Sequence, residues 1–366
     1  MYSFIEELAR REENELTVVC LSDLPEERRD IYKQNTLGEF CDIIICAEDI
    51  SASDTVKKII RDNAEGIHIF GGFLGRVGEV LSYYNGCGYN RAIVVSEKPS
   101  IVPVKHFNWI IKSIKKIHSK RVYSKKYKSV SSAVAAVFVT GQAGVDQLAS
   151  YGIPNDKLYK FMYTHIEEDV TSKEITDIDT VRFVYVGRFN YLNRGMDTLK
   201  YVFDNIKQMN WTLDLVGGYG EDSEEIIKWA NRSERVSFIG SWKNDEVIKR
   251  LADYDVCISP TRIDGWRIQV NQAIVAGIGT ITTNEAISDE LVKASGCGAV
   301  VHANKKGEMK RAVEAVLEDT KIVSEWKKNA RAFAPKITNR SFADYFLKCI
   351  ENIFNEDKEG GLECPW

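Results

Sequence analysis

No apolar run in the 366 residues approaches the ~18–20 residues of a membrane-spanning helix. No signal-peptide pattern opens the chain either. An integral membrane protein is therefore not expected, and the expected compartment is the cytoplasm. No two of the eight cysteines (Cys20, Cys41, Cys46, Cys87, Cys257, Cys297, Cys349, Cys364) stand in a CxxC pair, which excludes a zinc ribbon or a dithiol redox motif. Several lie inside apolar runs such as Cys41–Cys46, where a thiol behaves as a small buried hydrophobe. Neither sign of charge dominates: 49 Lys and Arg face 53 Asp and Glu, for a net charge of −4. That balance argues against a dedicated nucleic-acid binder, and no nucleic-acid motif is present. Also missing is a GxGxxG placed after a first strand with an acid downstream, which speaks against a dinucleotide-dependent dehydrogenase.

What is present is an ordinary globular composition, 44% hydrophobic and 28% charged, in a chain long enough for two domains. Over residues 1–170, short apolar strands alternate with helical patterns, as parallel βα units do. A helix is expected over Tyr2–Arg11, with strands at Leu16–Leu21, Ile43–Cys46, Ile67–Phe70, Ala92–Val95 and Ala135–Val139. The chain thus begins on a helix, so either this sheet is one strand short or a segment precedes it. Gly71 and Gly72 follow a strand, which places them at the carboxyl edge, where ligands collect in open α/β sheets; ordinary turn glycines would look the same. Glu97, in Ser96-Glu97-Lys98-Pro99, follows the next strand as a candidate base or sugar-orienting carboxylate, or else as a solvated loop acid.

The compositional anomaly is Lys105–Lys128, which holds nine Lys or Arg and no acid. Trp109, Ile110, Ile111, Ile114 and Ile117 interleave at near-helical spacing. A basic face opposite an apolar one suits a helix lying on an anionic membrane surface. The alternative is a helix packed on the sheet with solvated lysines. The polar segment Asp169–Asp179 is the linker candidate.

From Thr180 a second βα series begins, with strands at Val181–Val186, Thr212–Val216, Val236–Ile239 and Val256–Ile258 and a helix at Glu246–Asp253. Its strand ends carry Gly187-Arg188, Gly217-Gly218 and Gly240, and Arg194 stands where a helix should start. Two guanidinium groups there suit a diphosphate, which Arg binds in a bidentate fashion. The series leads into Val256–Gly277. There a strand breaks at Ser259-Pro260, loops through Asp264-Gly265-Trp266-Arg267 and enters a helix over Ile268–Ala276 that Gly277 stops. A strand feeding a helix N-terminus aims open N–H groups and a positive dipole end at one point, a natural anion site. An ordinary αβ loop is the alternative for that stretch taken alone.

The order GRF…NRG, GGYG, VSFIGSW, then SPTRIDGWRIQVNQAIVAG resembles the nucleotide-sugar domain of GT-B glycosyltransferases, most of all the large retaining family 4. The likeness is clear over Val181–Leu317 and fainter over residues 1–170. It implies an α/β fold of two Rossmann-like domains with parallel sheets facing a cleft. Residues 1–170 would bind the acceptor and 180–335 the nucleotide sugar. Residues 336–366 would hold a helix crossing back to the N-terminal domain, plus a tail. Matched by position, Arg188 and Arg194 would hold the donor diphosphate and Gly187 would let it approach. The Glu-x7-Glu pattern falls on Asp264, toward the transferred sugar, and on Gln272, toward the ribose. Gly217, Gly218, Gly265, Trp266 and Asn271 complete the expected donor site, with Gly71 and Gly72 on the acceptor side. Arg267 replaces a usual glycine, adding a cation beside the phosphates. The family's N-domain histidine falls near Glu97. The activity implied is metal-independent hexosyl transfer, with retention, from a nucleotide diphosphate sugar (UDP-sugar favoured) to a cell-surface glycan or lipid-linked acceptor on the inner membrane face. A GT-B protein that binds without turnover, or a sugar-nucleotide epimerase, is the alternative.

Overall fold

The computed structural model describes residues 2–11, 15–21, 39, 41–45, 50–100, 109–164, 178–218, 220–354 and 364–366. The expected linker falls mostly outside them. The chain forms two compact units, one drawn from residues 1–101, 109–163 and 342–364, the other chiefly from 164–341.

In the first unit, helix α1 (Tyr2–Ala9) precedes strands β1 (Thr17–Cys20) and β2 (Asp42–Ile45), which pair in parallel as a two-stranded sheet. Helix α2 (Ile50–Asp62) leads into four parallel strands in sequential order: β3 (His68–Phe70), β4 (Ala92–Ser96), β5 (Val134–Thr140) and β6 (Leu158–Phe161). Their crossovers are α3 (Gly75–Gly86), α4 (Trp109–Val130) and α5 (Gly141–Ser150). Every residue of β4 is buried, because a central parallel strand has helices on both faces and so reads as an unbroken apolar run. Strand β6 escapes a pattern reading because LYKF is short and its two middle residues are only half-buried at the sheet edge.

The second unit holds six parallel strands: β7 (Val181–Gly187), β8 (Trp211–Gly217), β9 (Val236–Gly240), β10 (Val256–Ser259), β11 (Gly279–Thr283) and β12 (Gly298–Val301). Between them run α6 (Tyr191–Arg194), α7 (Met196–Asn205), α8 (Ser223–Ala230), α9 (Val247–Leu251), α10 (Ile268–Val275) and α11 (Asp289–Ser295), and beyond β12 come α12 (Lys306–Glu318) and α13 (Lys321–Phe333). The expected helix at Glu246–Asp253 is shorter: Asn244–Glu246 form a 3-10 turn before α9. The strand order is β12-β11-β10-β7-β8-β9. Winding therefore reverses between β7 and β10, and a doubly wound sheet opens its ligand crevice beyond the carboxyl ends of such a pair.

Helix α14 (Asn339–Phe354) is the last helix among the described residues. Its buried Phe342 and Phe346 belong to the first unit, with ring centroids 4.9 and 5.0 Å from Phe4 and, for Phe346, 4.6 Å from Phe138.

Candidate functional site

The loops leaving β7 and β10 are laced together by backbone. The Asn193 carbonyl accepts from Arg262 N at 2.8 Å, Ile263 N at 3.3 Å and Thr261 Oγ1 at 3.2 Å. The Arg262 guanidinium donates to the Tyr191 carbonyl and ion-pairs with Asp197 at 2.7 Å. Gly195 turns the chain at φ +67, and a Cβ there would lie 2.0 Å from the Pro260 carbonyl oxygen. This close approach sets Arg194 against the Asp264 carboxylate, with which it forms an ion pair. Asp264 Oδ1 also accepts from Gly265 N at 3.0 Å. The motif reading did not single out Arg262; its only sequence signal is a charge inside an otherwise short loop.

Arg267 departs from expectation. It is 3% exposed, so it does not stand in the open beside a phosphate. Its guanidinium donates to Ser259 Oγ at 2.9 Å and to the Val186 carbonyl at 2.7 Å, spanning the ends of β10 and β7. It lies 3.9 Å from Asp264 Oδ2 and over the Tyr185 ring. A Cβ on Gly187 would come within 2.8 Å of it, so the glycine makes room for an internal arginine. A buried charge is retained only where partners satisfy it, and here a carbonyl, a hydroxyl and a carboxylate do so. Burial and the Arg267 charge lower the pKa of Arg194, partly offset by Asp264. Arg188, by contrast, is exposed, with no side-chain partner among the described residues; its carbonyl accepts from the Tyr185 hydroxyl at 2.7 Å.

Three further expected donor contacts are turned inward. The Trp266 indole N–H donates to Asn271 Oδ1 at 2.9 Å, and both residues are buried. Gln272 is 2% exposed, and its Oε1 is buried without a partner. In this conformation these side chains brace α10 rather than face a ligand, because a helix packed among α9, α11 and α13 buries most of its circumference. Gly217, at φ +133, abuts the Gly187 carbonyl at what would be 2.0 Å from a Cβ, and Gly218 lies under the Phe238 ring. At the start of α10, Arg267 N donates to the Ala286 carbonyl and Val270 N to the Arg267 carbonyl, each at 3.0 Å, which leaves the amides of Ile268 and Gln269 as those the helix geometry keeps open.

In the first unit, Gly71, Gly72 and Glu97 lie at the carboxyl ends of the neighbouring strands β3 and β4. Gly72 has φ +121, and a Cβ on either glycine would meet open space. Glu97 is exposed and hydrogen-bonds Tyr163. Burial first, then this carboxylate, pushes the Tyr163 phenol above its usual range. Of the basic segment, residues 105–108 and the side chains of Trp109, Ile110 and Ile111 lie outside the described residues. On α4, Ile114 and Ile117 are 60% and 54% exposed, while Tyr123, Tyr127 and Val130 make the core contact further along.

Solved structures share this architecture at low identity. The HepE protein of Anabaena, solved with UDP, aligns at TM-score 0.72 and 14% identity, covering 96% of this chain and 95% of its own. WaaG, a glycosyltransferase involved in lipopolysaccharide biosynthesis, aligns at 0.61 and 13%, covering 97% and 95%. A sucrose-phosphate synthase of Thermosynechococcus elongatus aligns at 0.69 and 14%, covering 96% and 92%. No curated protein sequence matches significantly. Parallel sheets in both units, the second of them doubly wound with a switch point between β7 and β10, thus define the class: the chain has the GT-B fold of these glycosyltransferase structures. More narrowly, residues 180–319, the stretch carrying every donor-side residue above, match the family described as Glycosyl transferases group 1.

Proposed function

We propose that the chain transfers a hexosyl unit from a nucleotide diphosphate sugar, a UDP-sugar in the first instance, to a hydroxyl of a glycan or lipid-linked acceptor, with retention at the anomeric carbon. The observation that carries this reading is the convergence of Arg188, Arg194 and the α10 N-terminus at the sheet's switch point. In the reaction the bond from the anomeric carbon to the β-phosphate oxygen breaks, its electron pair leaving with the nucleoside diphosphate. The acceptor oxygen bonds to the same face, and its proton passes to the departing phosphate. Arg188, Arg194 and the helix dipole would stabilise the leaving charge, with no metal required. Asp264 would accept from a sugar hydroxyl. Gly71, Gly72 and Glu97 would serve the acceptor side. The UDP in the similar HepE structure supports the choice of base.

The proposed acceptor class is supported by α4. Exposed Ile114 and Ile117 beside exposed Lys116, Lys120 and Arg121 suit contact with an anionic leaflet, each cation adding on the order of 1 kcal/mol. The enzyme would then work peripherally on the cytoplasmic membrane face.

The test is transfer from UDP-, GDP- and dTDP-hexoses to polyprenyl-phosphate-linked and glycan acceptors, with the product anomer read by NMR. One donor should turn over with retention, and absence of turnover across the panel overturns the reading. An isomerised rather than transferred sugar would identify an epimerase instead. Co-sedimentation with phosphatidylglycerol vesicles should fall when Ile114 and Ile117 are both changed to Glu; unchanged binding removes the membrane claim.

A further inference from the structure

Two arginines and one carboxylate share the switch point, and they are not equivalent. Arg267 is pinned by Val186 and Ser259 and is buried. Arg194 is 23% exposed, and its one ion pair among the described residues is with Asp264 Oδ2. It sits at the end of a four-residue helix, beside a positive-φ glycine. Asp264 is 14% exposed and keeps a second cation, Arg267, at 3.9 Å. A carboxylate this enclosed would be costly to leave without a counter-charge, and here one is built in.

We propose, resting on the glycosyl-transfer reading, that Asp264 competes with the donor diphosphate for Arg194. Donor binding hands the guanidinium from carboxylate to phosphate. Arg267 then remains as the fixed counter-charge of Asp264, and Oδ2, released from Arg194, becomes open to a sugar hydroxyl. The site therefore closes on itself when empty, and sugar recognition by Asp264 is switched on by phosphate binding. Two departures from the family pattern acquire one explanation. A shorter carboxylate keeps within reach of the chain's own arginine, and an arginine in place of glycine compensates it when that partner leaves. Arg267 is on this account a positioning residue.

Asp264→Asn removes the competitor with little change of shape. Titration calorimetry of the full chain with UDP and with GDP should show Asp264→Asn binding the diphosphate at least about fivefold more tightly than the native protein, while sugar transfer falls. In an Arg194→Gln background the same Asp264→Asn change should alter Kd by less than about twofold. Equal tightening in both backgrounds would mean simple loss of a negative charge, and no tightening would mean no competition; either overturns the proposal. Asp264→Ser provides the same comparison should the Asn variant not fold. If the native chain binds neither diphosphate, the glycosyl-transfer reading itself falls, and this proposal with it.

Discussion

Arg188, exposed after β7, and Arg267, buried between the ends of β10 and β7, lie in two different strand-end loops, and substitution should separate them cleanly. Arg188 is exposed and has no side-chain partner among the described residues, so Arg188→Ala should leave the melting temperature unchanged. It should raise the donor KM about tenfold, the loss of one charge-assisted hydrogen bond. Arg267→Met should behave oppositely. It strips the Val186 carbonyl and Ser259 hydroxyl of their donor and Asp264 of a cation, costing roughly 3–5 kcal/mol in urea unfolding. The residue types at this site were legible in the motif, but their orientations were not. Arg267, Trp266 and Asn271 read as ligand contacts because a motif match cannot say which way a loop or helix residue turns.

At the scale of elements, the site depends on two chain passages that touch through backbone. Gly195→Ala places a methyl group into the Pro260 carbonyl at a positive φ. It should both destabilise the protein and raise the donor KM, since the α6 turn that carries Arg194 must shift. Thermal melts and steady-state kinetics on that variant check it. Asp197, at the start of α7, ties the same turn to Arg262 and Lys306. Burial works to raise its pKa, but the hydrogen bonds and charges of Arg262 and Lys306 outweigh it, so the net shift is downward. A carboxyl depressed on folding contributes stability above its unfolded pKa of about 3.9 and loses it as pH falls through the folded value. The melting temperature of Asp197→Asn should therefore lie below that of the native chain at pH 7, and the gap should close as pH falls from the unfolded pKa through the folded one. No periodicity announces these contacts, because they join residues 65 and 109 positions apart in the chain.

At the scale of the whole molecule, each unit has its own apolar core, and α14 contributes Phe342 and Phe346 to the first. Phe342→Ala should cost about 3–5 kcal/mol by cavity formation, read as earlier urea unfolding of that unit. Burial pushes the thiols of Cys257, Cys297 and Cys349 up to about 12, 11 and 11. At pH 7.5 iodoacetamide should accordingly modify half-buried Cys87 and reach those three only after denaturation. The amino-acid sequence by itself determined the alternation of strand and helix, the glycine-bearing strand ends and the family likeness of residues 180–319. Those features depend on local periodicity and backbone freedom, which neighbouring residues dictate. Only the tertiary structure decided that Arg194 holds Asp264, that Arg267 is internal and that Gln272 is buried. Each of these depends on which distant strands pair and where the winding of the sheet reverses, and that is fixed by packing across the whole unit.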